Sequence, residues 1–274
     1  MLLDKIIGQR EAISSLKNLL RRRDIPPLIF YGKSGIGKRM AAIAFAGAIN
    51  CDDNGCVFCS SCNSLKNHPD IREIKDEQGY IKIDTIREII KEANLKPTYK
   101  KRVYIIDNAH LLTPSASSCL LKTLEEATQL FILITSSINS LLPTIRSRCF
   151  KIRFKPLSLN SFKSLGIEDE MLVEMSGGSM EKILNYSKIN IDEEKKALSL
   201  WVSSLKTKSP FLLIEELVKM YERFPHTLEL LLFIFKKNGL YFMIDKVLEA
   251  KEALKANVHR RLALEKMVFG ITND

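Results

Sequence analysis

Short, wholly apolar runs alternate with amphipathic stretches through the first half of the chain, and amphipathic stretches alone fill the second half. Leu28-Ile29-Phe30-Tyr31, Val103-Tyr104-Ile105-Ile106 and Leu130-Phe131-Ile132-Leu133-Ile134 are too short for helices and apolar on both faces, as strands buried in a parallel sheet are. Ile71-Arg72-Glu73-Ile74 and Phe150-Lys151-Ile152-Arg153-Phe154 read as two further strands, and Ile81-Lys82-Ile83 as a short extended piece. Between them, Ile13, Leu16, Leu19 and Leu20 share one face of a helix over about 10–20. Ile86, Ile89, Ile90 and Ala93 share a face of another, with Asp84 as its expected cap. Thr113-Pro114 starts a third helix, with proline at its first position. Strands alternating with helices predict an α/β domain, a parallel sheet covered on both sides.

Beyond residue 155 the strand pattern stops. Residues 156–190 read as a small group of helices. The stretches 192–205, 210–223, 225–238 and 242–256 then carry apolar residues at i, i+3 and i+4, so an all-α region is expected from 191 to 274.

The loop between the first strand and the helix-prone run Met40-Ala41-Ala42-Ile43-Ala44 changes the picture. Gly32-Lys33-Ser34-Gly35-Ile36-Gly37-Lys38-Arg39 is a strand–glycine loop–helix junction. Gly32, Gly35 and Gly37 let backbone N–H groups curl around an anion, the helix N-terminus adds a favourable dipole, and Lys38 reaches phosphate: a P-loop. The next position calls for Ser or Thr, whose hydroxyl holds Mg²⁺, and here it is Arg39. Asp107, at the end of the third strand, stands where a metal-holding carboxylate belongs. The residue after it, where a glutamate would polarise the attacking water, is Asn108, and an amide does not accept that proton.

Cysteine supplies a second candidate chemistry. Cys51, Cys56, Cys59 and Cys62 are spaced C-x4-C-x2-C-x2-C, and four thiolates complete a tetrahedral zinc shell, so a closed structural Zn²⁺ site is expected. Reduced thiols or a redox pair are the alternative. His68, in His-Pro-Asp, reads as a loop residue outside the ligand set.

Bulk numbers alter little. The chain has 274 residues, 46% of them hydrophobic and 27% charged, ordinary for a globular protein. A net charge of +10 favours contact with a polyanion without specifying one. No apolar run approaches a membrane span, and Met1-Leu2-Leu3-Asp4-Lys5 is charged too early for a secretory leader, so a cytoplasmic location is expected.

Leu120-Leu121-Lys122-Thr123-Leu124-Glu125-Glu126, then Ser147-Arg148-Cys149 before the fifth strand, with an Ile-Ile-Gly-Gln entry and four cysteines after the P-loop helix, resembles the bacterial clamp-loader branch of the AAA+ proteins. The likeness runs to about residue 190. It implies an AAA+ P-loop domain over 1–155 carrying the zinc module at 51–62, a helical lid over 156–190 and a collar domain over 191–274 that holds subunits together. It also implies that Gly8-Gln9 borders the adenine, that Thr135-Ser136 sits near the γ-phosphate, and that Arg148 projects into a neighbouring subunit's nucleotide site. Hydrolysing members of the branch carry an arginine where Gly178-Ser179-Met180-Glu181 has Glu181. With Arg39 and Asn108, that departure implies a non-hydrolysing subunit whose own ATP site binds weakly or not at all. Its expected partners are the other loader subunits and, through them, a sliding clamp and primed DNA. An ATP-hydrolysing loader subunit is the alternative.

Overall fold

The computed structural model describes residues 1–75, 79–93, 95–126, 129–187 and 191–272, so the last three residues of the expected lid and the last two of the expected collar lie outside the described residues. Five strands, β1 (Leu28–Tyr31), β2 (Ile71–Ile74), β3 (Val103–Ile106), β4 (Leu130–Thr135) and β5 (Phe150–Arg153), form one sheet in the order β2-β3-β4-β1-β5. Every neighbouring pair is parallel, with Leu28 opposite Ile132 on one side and Phe150 on the other. The three apolar runs are the three interior strands. The two edge strands are the ones carrying charge, Arg72 and Glu73 on β2 and Lys151 and Arg153 on β5, as edges require.

Two-residue alternation sorts the interior strands between two cores. Leu28, Phe30, Val103, Ile105, Leu130, Ile132 and Ile134 face a layer built from α1 (Arg10–Leu20) and α2 (Lys38–Ile49), through Leu16 and Phe45 among others. Ile29, Tyr104, Ile106, Phe131 and Leu133 face the opposite layer. After a short helix α3 (Ser60–Asn63), that layer is supplied by α4 (Ile83–Ala93), α5 (Pro114–Glu126) and α6 (Pro143–Arg148). Apolar burial on both faces, at about 25 cal/mol per Å², is the main force holding these layers.

The helix boundaries bear out Thr113, whose Oγ1 accepts from the backbone N–H of Ala116 at 3.2 Å. They correct the expectation for Asp84. Helix α4 already begins at Ile83, and Asp84 lies inside its first turn, paired with Arg87 at 3.2 Å. The extended piece before it shrinks to one bridge between Ile81 and Leu112, because Ile81 exchanges backbone hydrogen bonds with Leu111 and Thr113 and the chain is helical directly after.

Three short helices follow β5: α7 (Leu159–Lys163), α8 (Glu170–Ser176) and α9 (Met180–Tyr186). The chain divides into two compact units. Met1–Glu168 and Gly178–Glu181 make the first, and Asp169–Gly177 with the residues from Lys182 onward make the second. Residues 156–190 are therefore shared between the two units.

The second unit is helical throughout its described residues: α10 (Ile191–Ser203), α11 (Pro210–Arg223), α12 (Thr227–Lys237), α13 (Tyr241–Lys255) and α14 (Arg260–Thr272). Its core gathers Trp201, Leu217, Phe224, Leu231, Phe235, Val247 and Leu264, with the Trp201 indole N–H donating to the Leu213 carbonyl at 2.9 Å. The last helix starts at Arg260. Asn257 adopts a left-handed φ of 60° and Val258 N–H returns to Ala253 O, which ends α13. Among the described residues no helix is long and apolar enough to cross a membrane.

Candidate functional site

The glycine loop leaves β1 and enters α2 as its spacing predicts, and the conformation shows why glycine is used. Gly32, Gly35 and Gly37 have φ of 141°, 73° and 94°. A Cβ on Gly32 would lie 2.4 Å from the Phe154 carbonyl oxygen, and one on Gly35 would lie 2.2 Å from the Ser179 hydroxyl. Lys38 is buried at the first turn of α2, and its Nζ turns back onto the loop, donating to the carbonyls of Gly32 and Lys33 at 2.6 Å each. Burial pushes its pKa below the ordinary lysine range, opposed by the carboxylates of Asp107 and Glu181.

Gln9 ties the entry segment to this loop. Its side-chain amide donates to Ile36 O at 3.1 Å and Lys155 O at 2.7 Å, and its Oε1 accepts from Lys155 N–H at 3.0 Å. A cleft of about 600 Å³ opens beside Gly8 and Gln9, lined also by Arg10, Arg153, Lys155 and Ser161, while residues 32–39 contribute nothing to its lining.

Each position that departs from a hydrolytic site has a definite partner here. Arg39 makes a two-point ion pair with Glu73 of β2, Nε to Oε2 and Nη2 to Oε1, the second at 3.0 Å. That contact raises the guanidinium's pKa and gives Arg39 a carboxylate partner outside the loop. Asp107 follows β3, and its Oδ1 accepts from the N–H of Asn108, which stands in a left-handed turn at φ 50°. Glu181 reaches Ser34 Oγ, which donates to its Oε2 at 3.0 Å. The Thr135 hydroxyl is buried at the end of β4 and engaged with Ser137 O and Ser140 Oγ.

Arg148, the last residue of α6, lies in the same unit at a partly exposed position. Its Nε pairs with Glu125 of α5 and its Nη1 donates to Thr144 O at 3.0 Å. The carboxylate is on the surface, so the pair is weak and exchangeable.

The four cysteines of the predicted metal module converge. Their Sγ atoms all lie within 4.8 Å of one another, Cys51 and Cys59 being 3.7 Å apart. Thiolates on a tetrahedral zinc at 2.3 Å stand about 3.8 Å apart, so the donor set fits zinc and could hold it. Backbone N–H groups of Cys56, Cys59 and Cys62 donate to the sulfurs of Cys51, Cys56 and Cys59 respectively, the usual way a thiolate shell is steadied. Burial raises the pKa of the Cys51 thiol, but hydrogen bonds from Cys56, Gly55 and Asp53 outweigh it and bring the thiol down to about 6.

His68 braces the module from outside the ligand set. Its Nε2 bonds Ser61 Oγ at 2.9 Å and its Nδ1 accepts from Asp70 N–H at 3.1 Å. Burial holds its pKa below the ordinary histidine value.

Glu73, Glu125 and Ser34 are the residues that sequence reasoning passed over. Ser34 and Glu125 sit in motifs the sequence shows, but nothing local points to these contacts, since the partners of Glu73, Glu125 and Ser34 lie 34, 23 and 147 positions away.

Comparison with known proteins supplies the context for this geometry. Residues 8–158 match the family model described as DNA polymerase III, delta subunit. The chain is 32% identical over 226 residues to DNA polymerase III subunit tau of Bacillus subtilis, covering 78% of this chain and 39% of that protein. It is 34% identical over 158 residues to subunit delta′ of the same organism, covering 54% of this chain and 47% of that one. It thus spans well under two thirds of the relatives' own length. A crystal structure of a DNA polymerase III gamma-subunit-related protein from Thermotoga maritima superimposes with a TM-score of 0.58 at 18% identity, covering 96% of this chain and 98% of that one, a likeness of fold.

Proposed function

The chain belongs to the DNA polymerase III delta subunit family, the clamp-loader AAA+ proteins, and from that premise we propose that it is the delta-prime kind of subunit: a scaffold that does not hydrolyse ATP itself. The observation that carries this reading is Arg39. A hydroxyl at that position would hold Mg²⁺, whereas a guanidinium locked to Glu73 offers no metal ligand. Asn108 in place of a general base and Glu181 in place of a cationic sensor point the same way.

In this reading Arg148 acts in trans. It releases Glu125, reaches the ATP of a neighbouring subunit and stabilises charge developing on the transferred phosphoryl group, a contribution of about 10³ to 10⁵ in rate. Zinc, held by Cys51, Cys56, Cys59 and Cys62, is structural. Residues 156–190 serve as the lid and 191–274 as the collar that docks on other subunits. Through the assembly the protein helps open a sliding clamp onto primed DNA in the cytoplasm.

The test is ATP hydrolysis by the reconstituted loader, stimulated by clamp and primed DNA, with Arg148→Ala in this chain alone. The expected result is a fall of about 10³-fold or more with the assembly intact. An unchanged rate sinks the role in trans.

One observation favours a second reading, a subunit that binds and hydrolyses ATP in its own site. The relative named tau is matched over 226 residues, the one named delta′ over 158. Mg²⁺-dependent turnover by the isolated chain would establish that reading.

A further inference from the structure

Glu181 does more at the loop than lack a positive charge. Segment 178–181 is tied to the glycine loop by one backbone hydrogen bond, Met180 N–H to Gly35 O at 2.8 Å, and to the chain after β5 by another, Leu157 N–H to Gly178 O at 3.0 Å. The approach is so close that a Cβ on Gly35 would meet the Glu181 Cβ at 2.5 Å and its Oε2 at 3.0 Å. The carboxylate then accepts from Ser34 Oγ at 3.0 Å and, with Asp107, opposes the lowering of the Lys38 pKa by burial. Lys38 meanwhile spends its donors on Gly32 O and Lys33 O.

We propose that Glu181 is the specificity residue of this loop, a tethered internal anion that holds the cradle against free polyphosphates. The chemistry is simple. A phosphate chain entering a loop whose mouth already carries a hydrogen-bonded carboxylate meets like charge and must displace the Ser34 contact as well. On this proposal the mouth of the loop is kept closed by Glu181, and the Arg39–Glu73 pair plays no part in closing it. This deepens the non-hydrolysing reading by giving a physical reason for weak binding, but it concerns only this chain's own loop. The role of Arg148 can fail without touching it.

The experiment is calorimetric titration of the isolated full chain with ATP and with tripolyphosphate, each with and without Mg²⁺. Glu181→Gln removes the charge and keeps the shape, Glu181→Ala removes both, and Arg39→Thr leaves the carboxylate in place. Glu181 is exposed at the surface, and each variant's thermal midpoint confirms its fold.

The expected result is that both Glu181 variants bind tripolyphosphate and ATP about tenfold or more tighter than the unsubstituted chain, while Arg39→Thr alone does not. Glu181 variants that bind no tighter overturn the proposal. So does an equal gain from Arg39→Thr, which would move the closing role to the Arg39–Glu73 pair. ATP hydrolysis in the assembly is read separately, so a null result here leaves the Arg148 test standing.

Discussion

Helix α2 has a candidate site at each end, and the two ends have fared differently. At its N-terminus the glycine loop keeps the positive-φ backbone of a phosphate cradle, yet the side chains around it have paired within the protein: Lys38 with loop carbonyls, Arg39 with Glu73 of β2, Glu181 with Ser34. Just past its C-terminus, Cys51 opens a set of four thiols that is complete and converges within 4.8 Å. On the proposed reading, the contrast teaches that a backbone shape outlasts its chemistry when the shape itself supports the fold. A metal shell has no such second use, because its side chains are its structure.

The contrast can be broken most forcefully at the cysteine end. One zinc per chain is expected by metal analysis of a reduced preparation. Cys62→Ser should empty the site and lower the thermal midpoint by roughly 10 °C. A preparation that holds no metal, with a midpoint indifferent to the substitution, would remove the distinction between the two ends.

At the loop end the expected effect is smaller and purely structural. Gly35→Ala places a Cβ against Ser179 and Glu181 at a φ of 73°, and should cost about 1–3 kcal/mol in denaturant unfolding. A neutral result would mean the loop's shape no longer matters to the fold.

The smallest effect sharpens the comparison through pH. His68 is held neutral by burial, so its folded pKa lies below the ordinary value and the unfolded chain binds the proton more readily. Its contribution is present above about pH 6.5 and is lost as the pH falls toward the folded value. Stability should therefore decline on acidification through that range. His68→Gln should flatten the decline, measured as thermal midpoint against pH.

Much of this was legible in the sequence because it depends on neighbours in the chain. The interior strands announce themselves as unbroken apolar runs, the glycines sit where φ must be positive, and Cys-x-x-Cys steps fix where sulfurs can point. The partners of Arg39, Arg148 and Glu181 were not legible. Ion pairs form between surfaces that only the sheet order and helix layers bring together, and nothing along the chain pairs Glu73 with Arg39 or Glu125 with Arg148. A helix start was misplaced at Asp84 for a related reason: the backbone bridge at Ile81, with helix directly after it, decided it, not side-chain periodicity.

Gln9 has a consequence for the order of assembly. Its primary amide carries a donor and an acceptor, so beside Lys155 it behaves as a stray peptide group, and it reaches across 146 positions of chain to do so. Closing so long a loop costs entropy that no local contact repays, so the contact gains nothing until β1 and β5 have paired. The residue is a latch with two reaches: its bond to Ile36 spans 27 positions and does not wait for β5, whereas its pair of bonds with Lys155 shuts only after β5 has joined the sheet.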